Sequence, residues 1–241
     1  MARRFTLIGP GRAGMSMHAA LIDVGWECAA IFRRGDDFAE AAVGVDACVI
    51  ATPDANIASV ASAIGPGDAV VMHVSGATSI AALGDHNEVA ALHPLQSLPN
   101  ADVGAGALRN CYFAVSGHGL AQEIAEALSG RWFAIDDSDR ALYHCAAAVA
   151  SNHSVALLGQ VERLAASIGV PLDAFAPIVR ASVENVFEQG PANALTGPAA
   201  RGDQATIDAH RSALIESHPD ELTSYDAMVH LAQRLRAQTD Q

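Results

Sequence analysis

The chain has 241 residues, of which 51% are hydrophobic and 17% are charged, and this composition excludes an intrinsically disordered protein. The formal net charge of −13 argues against a protein that binds nucleic acid or an anionic membrane, because both need a basic face. All 14 basic residues are arginines, so mechanisms that require a lysine, such as a Schiff base, are also excluded.

The first 137 residues alternate short apolar runs with helical periodicity. Continuous apolar strands separated by helices indicate a parallel sheet covered on both faces. We therefore predict an α/β fold, with a doubly wound (Rossmann) domain over residues 1–137. The predicted strands are Phe5–Ile8, Cys28–Phe32, Ala47–Ala51, Ala69–Val74, Val89–Leu92, Tyr112–Val115 and Trp132–Ile135.

Helical periodicity dominates after the acidic run at 136–139, so residues 138–241 are predicted to form an all-α domain. The segment 141–161 carries no formal charge but is too polar for a membrane span, and we expect a helix buried inside protein. A helical domain this small cannot cover so apolar a helix alone. We therefore expect this helix to lie between its own Rossmann domain and a second subunit, in a two-fold symmetric homodimer.

The chain begins directly with a strand and a turn and shows no signal-peptide layout, so we expect a cytoplasmic protein. Its four cysteines are widely spaced among apolar neighbours, which is typical of reduced, packed thiols. The ten histidines form no H-E-x-x-H or similar pair, and no metal site is expected.

A G-x-G-x-x-G pattern, Gly9-Pro-Gly-Arg-Ala-Gly14, lies between the first predicted strand and helix. In this position the pattern is typical of a dinucleotide-binding turn, with the pyrophosphate at the helix N-terminus. The loop after the third strand should lie along the same crevice. The predicted cofactor-binding residues of these two segments are Gly9, Gly11, Arg12, Ala13, Gly14, Thr52 and Pro53.

The second predicted strand is followed by Arg33 and Arg34, where NAD-binding proteins usually carry an acidic residue. Two guanidinium groups suit a 2′-phosphate, so the sequence favours NADP(H). The alternative is that one or both arginines are solvated surface residues.

Three polar residues fall where a reaction centre is expected. Ser75 and His93 follow neighbouring strands, and Asn152 lies within the charge-free helix. Because histidine titrates near neutral pH, His93 is the candidate acid/base. Ser75 would bind the substrate oxygen or orient His93, and Asn152 would fix the substrate or the imidazole. The alternatives are a turn histidine, turn chemistry at Ser75, and hydrogen-bonded core polar groups.

The helical half is interrupted by a Gly/Pro-rich loop, Leu195-Thr-Gly-Pro-Ala-Ala-Arg-Gly-Asp203. Such a loop suggests a shaped site wall, and Asn185, Thr196 and Arg201 are candidate substrate contacts. Arg201 would bind an anionic substrate or bridge helices, and Asp203 is expected to cap the following helix.

These motifs resemble a bacterial family of Rossmann-like oxidoreductases whose C-terminal half is called domain of unknown function 2520. The resemblance rests on Gly9–Gly14, His93–Ser97, Ser151–His153 and the loop at 195–203 with Thr206 and His210. The layout is similar to the 6-phosphogluconate-dehydrogenase-like superfamily. That similarity implies a helical C-terminal domain that mediates dimerisation and covers the cofactor crevice.

The resemblance does not choose a substrate. The catalytic lysine of β-hydroxyacid dehydrogenases corresponds here to Ala148. The chain order Ser75, His93, Asn152 is similar to that of 3-hydroxyacyl-CoA dehydrogenases, but no matching glutamate follows His93. Prephenate dehydrogenases also carry a His-Pro at the strand end.

The predicted function is an NADP(H)-dependent oxidoreductase that acts on a small, anionic carbonyl, hydroxyl or imine compound. The alternative is a non-catalytic NADP(H)-binding redox sensor or regulatory protein, which would have no need of His93 and Asn152 at the nicotinamide.

Overall fold

A computed structural model describes residues 2–98 and 100–237 of the chain. Its contacts divide the chain into two compact units, Met1–Ser151 and Asn152–Gln241. The predicted boundary between residues 137 and 138 lies just after the last strand of the sheet, whereas compactness places the division after Ser151. A helical domain that begins at residue 138 therefore stays a prediction.

Among the described residues, the first unit contains seven strands and five α-helices. The strands are β1 (Arg4–Ile8), β2 (Glu27–Phe32), β3 (Ala47–Ile50), β4 (Val70–His73), β5 (Val89–Pro94), β6 (Tyr112–Gly117) and β7 (Arg131–Ala134). The helices are α1 (Arg12–Asp23), α2 (Ile57–Ala61), α3 (Ala101–Leu108), α4 (Leu120–Ala127) and α5 (Arg140–Ala148). The strands form one sheet in the order β2-β1-β3-β4-β5-β6-β7.

Both faces of the sheet are buried, which explains why its strands read as continuous apolar runs. Phe5 and Leu7 of β1 belong to a core on one face that also includes residues of α1, α3 and α4. Ile8 and Ile50 belong to a second core on the other face, with residues of α2. The predicted doubly wound α/β fold is confirmed.

The sheet is mostly parallel, as predicted, with one exception, because β6 runs antiparallel to β5. The connection that contains α3 starts and ends at the same edge of the sheet, and the Leu95 N–H donates to the Tyr112 carbonyl oxygen across it at 2.8 Å. The chain therefore enters β6 at the carboxyl end of β5 and runs back. β7 then pairs parallel to β6.

The second unit is helical, and none of its described residues, 152–237, lies in a strand, as predicted. A π-helical turn, Val149–His153, spans the division between the units. The helices that follow are α6 (Ser154–Ser167), α7 (Ala176–Gln189), α8 (Pro191–Ala194), α9 (Pro198–Arg201), α10 (Gln204–Ser217) and α11 (Leu222–Ala237).

The charge-free segment 141–161 is not buried within a single chain. Leu142, Val149 and Val155 are 76%, 51% and 71% exposed. These apolar side chains are exposed in a single chain. Burial of the segment between the Rossmann domain and a second subunit, in a homodimer, stays a prediction. No helix within 2–98 and 100–237 is both long and apolar enough to span a membrane.

Candidate active site

The carboxyl ends of the first five strands meet at one edge of the sheet, because β1 to β5 are mutually parallel. From β1 the chain passes to β2 on one side and then to β3 on the other. This reversal is a topological switch point, where doubly wound sheets form a ligand crevice. Every sequence-predicted site residue of the first unit lies at or near this edge.

Two of the three glycines in the turn after β1 are required by close backbone packing, and the third leaves open space. Gly9 has φ +95°, and a Cβ there would lie 2.9 Å from the Ala51 carbonyl oxygen. A Cβ on Gly14 would lie 2.2 Å from the Gly9 carbonyl oxygen, so α1 can approach the turn only without a side chain. A Cβ on Gly11 would meet nothing within 4 Å. Gly11 therefore faces open space, which suits close approach of a pyrophosphate.

The N-terminus of α1 is free to bind an anion. Gly11 is its N-cap, and no side chain of the described residues caps it or places an acid in the first turn. The first helical turn contains Arg12 and Ala13. Its free N–H groups form the positive end of the helix dipole and can donate hydrogen bonds to an anion. Thr52 lies beside it, and its buried Oγ1 has no hydrogen-bond partner among the described residues. Pro53 follows in the same loop.

Arg33 and Arg34 are exposed at the carboxyl end of β2. The nearby Asp36 carboxylate accepts a hydrogen bond from the Arg33 backbone N–H at 2.6 Å. That carboxylate is therefore part of the turn itself, while both guanidinium groups remain available to a phosphate.

A row of polar side chains crosses the sheet on one face. His73 of β4 pairs with Ala91 of β5, and Ala91 pairs with Ser116 of β6. His93 lies two residues beyond Ala91 and so points to the same face. Helix α5 packs over this row, since its Tyr143 and Arg140 contact His93 and Ser116.

The His93 imidazole is held by groups on three sides. Its Nδ1 lies 2.6 Å from the Tyr143 Oη, and the two rings meet edge to face. The His144 ring is 6.2 Å away, centroid to centroid. A Cβ on Gly76 would lie 2.8 Å from the His93 Cε1, so the imidazole rests against the Gly76 backbone.

Burial lowers the pKa of His93 to about 4, and the nearby His144 and Arg140 lower it in the same direction. Desolvation of the ring thus holds the pKa of His93 below the neutral value expected from the sequence. At neutral pH His93 is an uncharged imidazole that can still donate and accept a proton. Burial likewise raises the pKa of Tyr143 to about 12, so its hydroxyl stays protonated.

Arg140 fastens α5 to the sheet from a fully buried position, with 1% of its surface exposed. Its Nε donates to the Asp137 Oδ1 at 2.6 Å, and its Nη2 donates to the Ser116 Oγ at 2.7 Å. Asp137 also accepts a hydrogen bond from the Ser79 hydroxyl. The ion pair therefore ties α5, β6 and the loop after β4 together.

Ser75 is engaged in its own turn. Its Oγ accepts from the backbone N–H of Ala77 at 3.2 Å and of Thr78 at 3.0 Å, and it donates to the Thr78 hydroxyl. This is the turn chemistry that was the alternative for Ser75. Its catalytic role stays a prediction.

The remaining predicted site residues belong to the second unit. Asn152 lies in the π-helical turn, a feature that often occurs at functional sites. Asn185 lies on α7, Thr196 lies between α8 and α9, and Arg201 ends α9; all three are exposed. Their roles stay predictions.

The Gly/Pro-rich loop of the second unit has a defined structure. Asp203 caps α10 by accepting from the Thr206 N–H at 3.1 Å, as predicted. Thr196, His210 and Tyr225 line a cavity of about 260 Å³ whose other walls are largely apolar. Within it, the Tyr225 hydroxyl lies 2.8 Å from the His210 Nδ1.

Sequence reasoning missed the three α5 residues at this site, Arg140, Tyr143 and His144. Their spacing of i, i+3 and i+4 places them on one helical face. That spacing was the available signal, since it put three polar side chains together on an otherwise apolar helix.

Alanine substitutions at Gly11 and Gly14, the two glycines nearest α1, should change the free energy of unfolding by different amounts. Gly14→Ala should destabilise the protein by about 1–3 kcal/mol, because its Cβ would overlap the Gly9 carbonyl oxygen. Gly11→Ala is the matched control and should change the free energy of unfolding by less than about 1 kcal/mol. Urea denaturation measures both. Equal stabilities of the two variants would contradict the assigned packing.

The buried histidines predict a pH-dependent stability. Burial lowers the pKa of His73 and of His93 to about 4, whereas an unfolded chain has histidines near pKa ~6.5. The unfolded state therefore binds more protons between these values. The free energy of unfolding should be highest above about pH 6.5 and fall as the pH drops toward 4.

The variant His73→Asn tests this dependence, because asparagine keeps an acceptor for the Ser75 N–H and cannot titrate. Urea denaturation across pH 4–7 should give a flatter curve for this variant than for the wild type. The matched control is His230→Asn, which removes an exposed imidazole. A wild-type stability that is constant over this range would refute the burial argument.

Solved structures with the same fold span nearly the whole chain at low identity. A Bacteroides fragilis protein described as a candidate NADP oxidoreductase is 19% identical, with a TM-score of 0.83 over 97% of this chain and 98% of its own. A Plasmodium falciparum pyrroline carboxylate reductase with NADP bound is 12% identical, with a TM-score of 0.63 over 98% of each chain. A Streptomyces aurantiacus imine reductase is 17% identical, with a TM-score of 0.65 over 96% and 94%.

No curated protein sequence matches this chain. Residues 112–232, half of the chain, match the family described as Domain of unknown function (DUF2520). The matched region begins with β6 and includes α5, the π-helical turn and the loop that Asp203 ends. The chain belongs to the DUF2520 family, as its motifs predicted.

Proposed function

We propose that this protein is an NADP(H)-dependent oxidoreductase that transfers a hydride to or from a small, anionic carbonyl, hydroxyl or imine compound. The observation that carries this function is the position of two features at one edge of one sheet. They are a glycine turn whose following helix has no side-chain cap among the described residues, and a half-buried histidine–tyrosine pair. A nucleotide site beside a proton-handling site is what a dehydrogenase needs.

The residues present fit a dinucleotide. Gly11 leaves open space in front of the α1 N-terminus, while Gly9 and Gly14 are already required by the fold. The unpartnered Thr52 hydroxyl borders the same turn and offers a polar contact. Arg12, Ala13 and Pro53 would contribute backbone or side-chain contacts along the crevice. The NADP-bound Plasmodium reductase, which shares this fold, supports the same class of cofactor.

Arg33 and Arg34 would select the phosphorylated dinucleotide. Both guanidinium groups are exposed at the end of β2, where a 2′-phosphate would lie in this fold. The nearby Asp36 carboxylate accepts a hydrogen bond from the Arg33 backbone N–H. Charge-assisted hydrogen bonds to a phosphate are about twice as strong as neutral ones.

The bound nicotinamide would supply or accept the hydride, and the protein must then handle one proton. His93 is the residue proposed for that transfer, because it is uncharged at neutral pH and has one ring nitrogen facing Tyr143. A neutral imidazole still carries one N–H, and it can donate this N–H to an alkoxide or amide anion that develops on the substrate.

The substrate contacts are proposed from the sequence motifs. Asn152 would orient the substrate or the imidazole, and Ser75 would contribute through its turn. Asn185, Thr196 and Arg201 would bind the rest of the substrate, with the exposed Arg201 guanidinium attracting a carboxylate or phosphate.

A screen of NADPH oxidation against keto acids, aldehydes and cyclic imines tests the proposed function. Absence of NADPH binding would overturn it.

The cofactor preference can be measured without a substrate. Arg33→Ala with Arg34→Ala should weaken NADPH binding by about 1.5–3 kcal/mol and leave NADH binding nearly unchanged. The matched control is Arg131→Ala, which removes an arginine that contacts Tyr112 instead. Calorimetric titration with both nucleotides provides the measurement. Wild-type protein that prefers NADH would contradict the assignment.

The role of His93 is tested on the substrate that the screen identifies. His93→Ala should lower turnover by ~10²- to 10⁴-fold, the usual contribution of a positioned acid or base. NADPH affinity should change little, because the phosphates are held at the glycine turn. His230→Ala serves as the control histidine. Near-normal turnover of a folded His93→Ala protein would show that His93 is only a turn residue.

A further inference from the structure

We propose that Tyr143 is a positioning residue that fixes the neutral His93 as its Nε2–H tautomer, and so makes Nε2 the atom that gives the proton to the substrate. This inference rests on the proposed oxidoreductase function. It adds a residue from α5, an element in which sequence reasoning placed no part of the proton-transfer machinery.

The hydrogen bond between the two side chains has one chemically favoured direction. The Tyr143 Oη and the His93 Nδ1 are 2.6 Å apart, a short distance for an O–H···N bond. A phenol is a much stronger acid than a neutral imidazole N–H, and an imidazole nitrogen is a better acceptor than a phenol oxygen. The phenol therefore donates to Nδ1. The ring proton of a neutral His93 must then lie on Nε2.

Packing keeps both rings in this arrangement. The Phe133 ring contacts the Tyr143 ring edge to face, with centroids 5.7 Å apart. The Gly76 backbone lies against the His93 imidazole so closely that even a methyl group would not fit. Rotation of either ring would break the hydrogen bond, and these contacts restrict that rotation.

The charges around His93 keep the ring neutral. The groups that face it are His144 and Arg140 of α5, His73 of β4, and Asp54. Of these, only Asp54 favours the protonated ring, and burial opposes protonation more strongly than any single neighbour. A doubly protonated His93 would have no acceptor at Nδ1 and could only donate to the Tyr143 oxygen, so neutrality is a condition of the hydrogen bond in which Tyr143 donates.

The proton step balances through this pair. During reduction the Nε2–H bond breaks and a bond forms between that proton and the substrate oxygen or nitrogen. The Nδ1 nitrogen takes the Tyr143 proton, so the imidazole stays neutral, and the phenolate recovers a proton from water. When bound, a reduced nicotinamide would supply the electron pair of the new C–H bond as a hydride. Burial raises the pKa of Tyr143 to about 12 and Arg140 only partly opposes it, so any phenolate is reprotonated at once.

The tautomer can be read directly by long-range ¹H–¹⁵N correlation spectra of protein labelled at histidine, without cofactor or substrate. The His93 signals are assigned by their loss in His93→Gln. In the wild type, we expect one neutral form protonated at Nε2 from pH 5.5 to 8. In Tyr143→Phe, we expect a mixture of tautomers. Tyr112→Phe, which removes a hydroxyl that contacts Arg131, should keep the wild-type pattern.

Two results would overturn the inference. One is a wild-type His93 that carries its proton on Nδ1 or titrates within this pH range. The other is an unchanged tautomer in a Tyr143→Phe protein whose thermal unfolding matches the wild type. The wild-type spectrum alone decides the first, so the test survives a variant that fails to fold.

Turnover measurements separate this inference from the proposed function. On a substrate found by the screen, Tyr143→Phe should lower kcat by about tenfold or more and leave KM nearly unchanged. A fixed Nε2–H tautomer in a protein that fails to bind NADPH would overturn the proposed function and leave the assigned proton position intact. A reductase whose kcat is the same in Tyr143→Phe would overturn the inference alone.

Discussion

The candidate site depends on the ion pair between the buried Arg140 guanidinium and the exposed carboxylate of Asp137. Arg140 is almost completely removed from solvent, and it fastens the start of α5 to the sheet through Asp137 and Ser116. Moving a guanidinium group out of water costs several kcal/mol, and an apolar side chain would often stabilise such a position better. The arrangement therefore serves to fix where α5 lies. One turn further along, the same helix presents Tyr143 and His144 to His93.

The ion pair also sets the electrostatics of this face. The whole chain carries a net charge of −13, yet the buried Arg140 guanidinium lies near His93 and lowers its pKa, while Asp54 acts in the opposite direction. Burial of the ring disfavours the imidazolium ion more strongly than any single neighbour. Desolvation and the nearby arginine therefore both favour a neutral His93.

The glycine turn shows how fold and ligand share a motif. Gly9 and Gly14 lack side chains because backbone atoms lie where a Cβ would be, and this requirement holds whether or not a nucleotide binds. Gly11 has no such neighbour, so the fold does not explain why glycine is there. A ligand that approaches the backbone closely does explain it. Gly11 is accordingly the position that distinguishes a binding turn from a merely tight one.

The sequence by itself determined the strand positions, the doubly wound class, the glycine turn, the Asp203 cap and the family. These features follow from local patterns, such as apolar runs, glycine spacing and a capping residue before a helix. The tertiary structure decided the reversed direction of β6, the exposure of the charge-free helix in a single chain and the side chains that surround His93. Strand direction, burial and pKa depend on groups far apart in the chain, and Tyr143 is fifty residues from His93. Sequence spacing does not record that proximity, because only the packing of α5 on the sheet creates it.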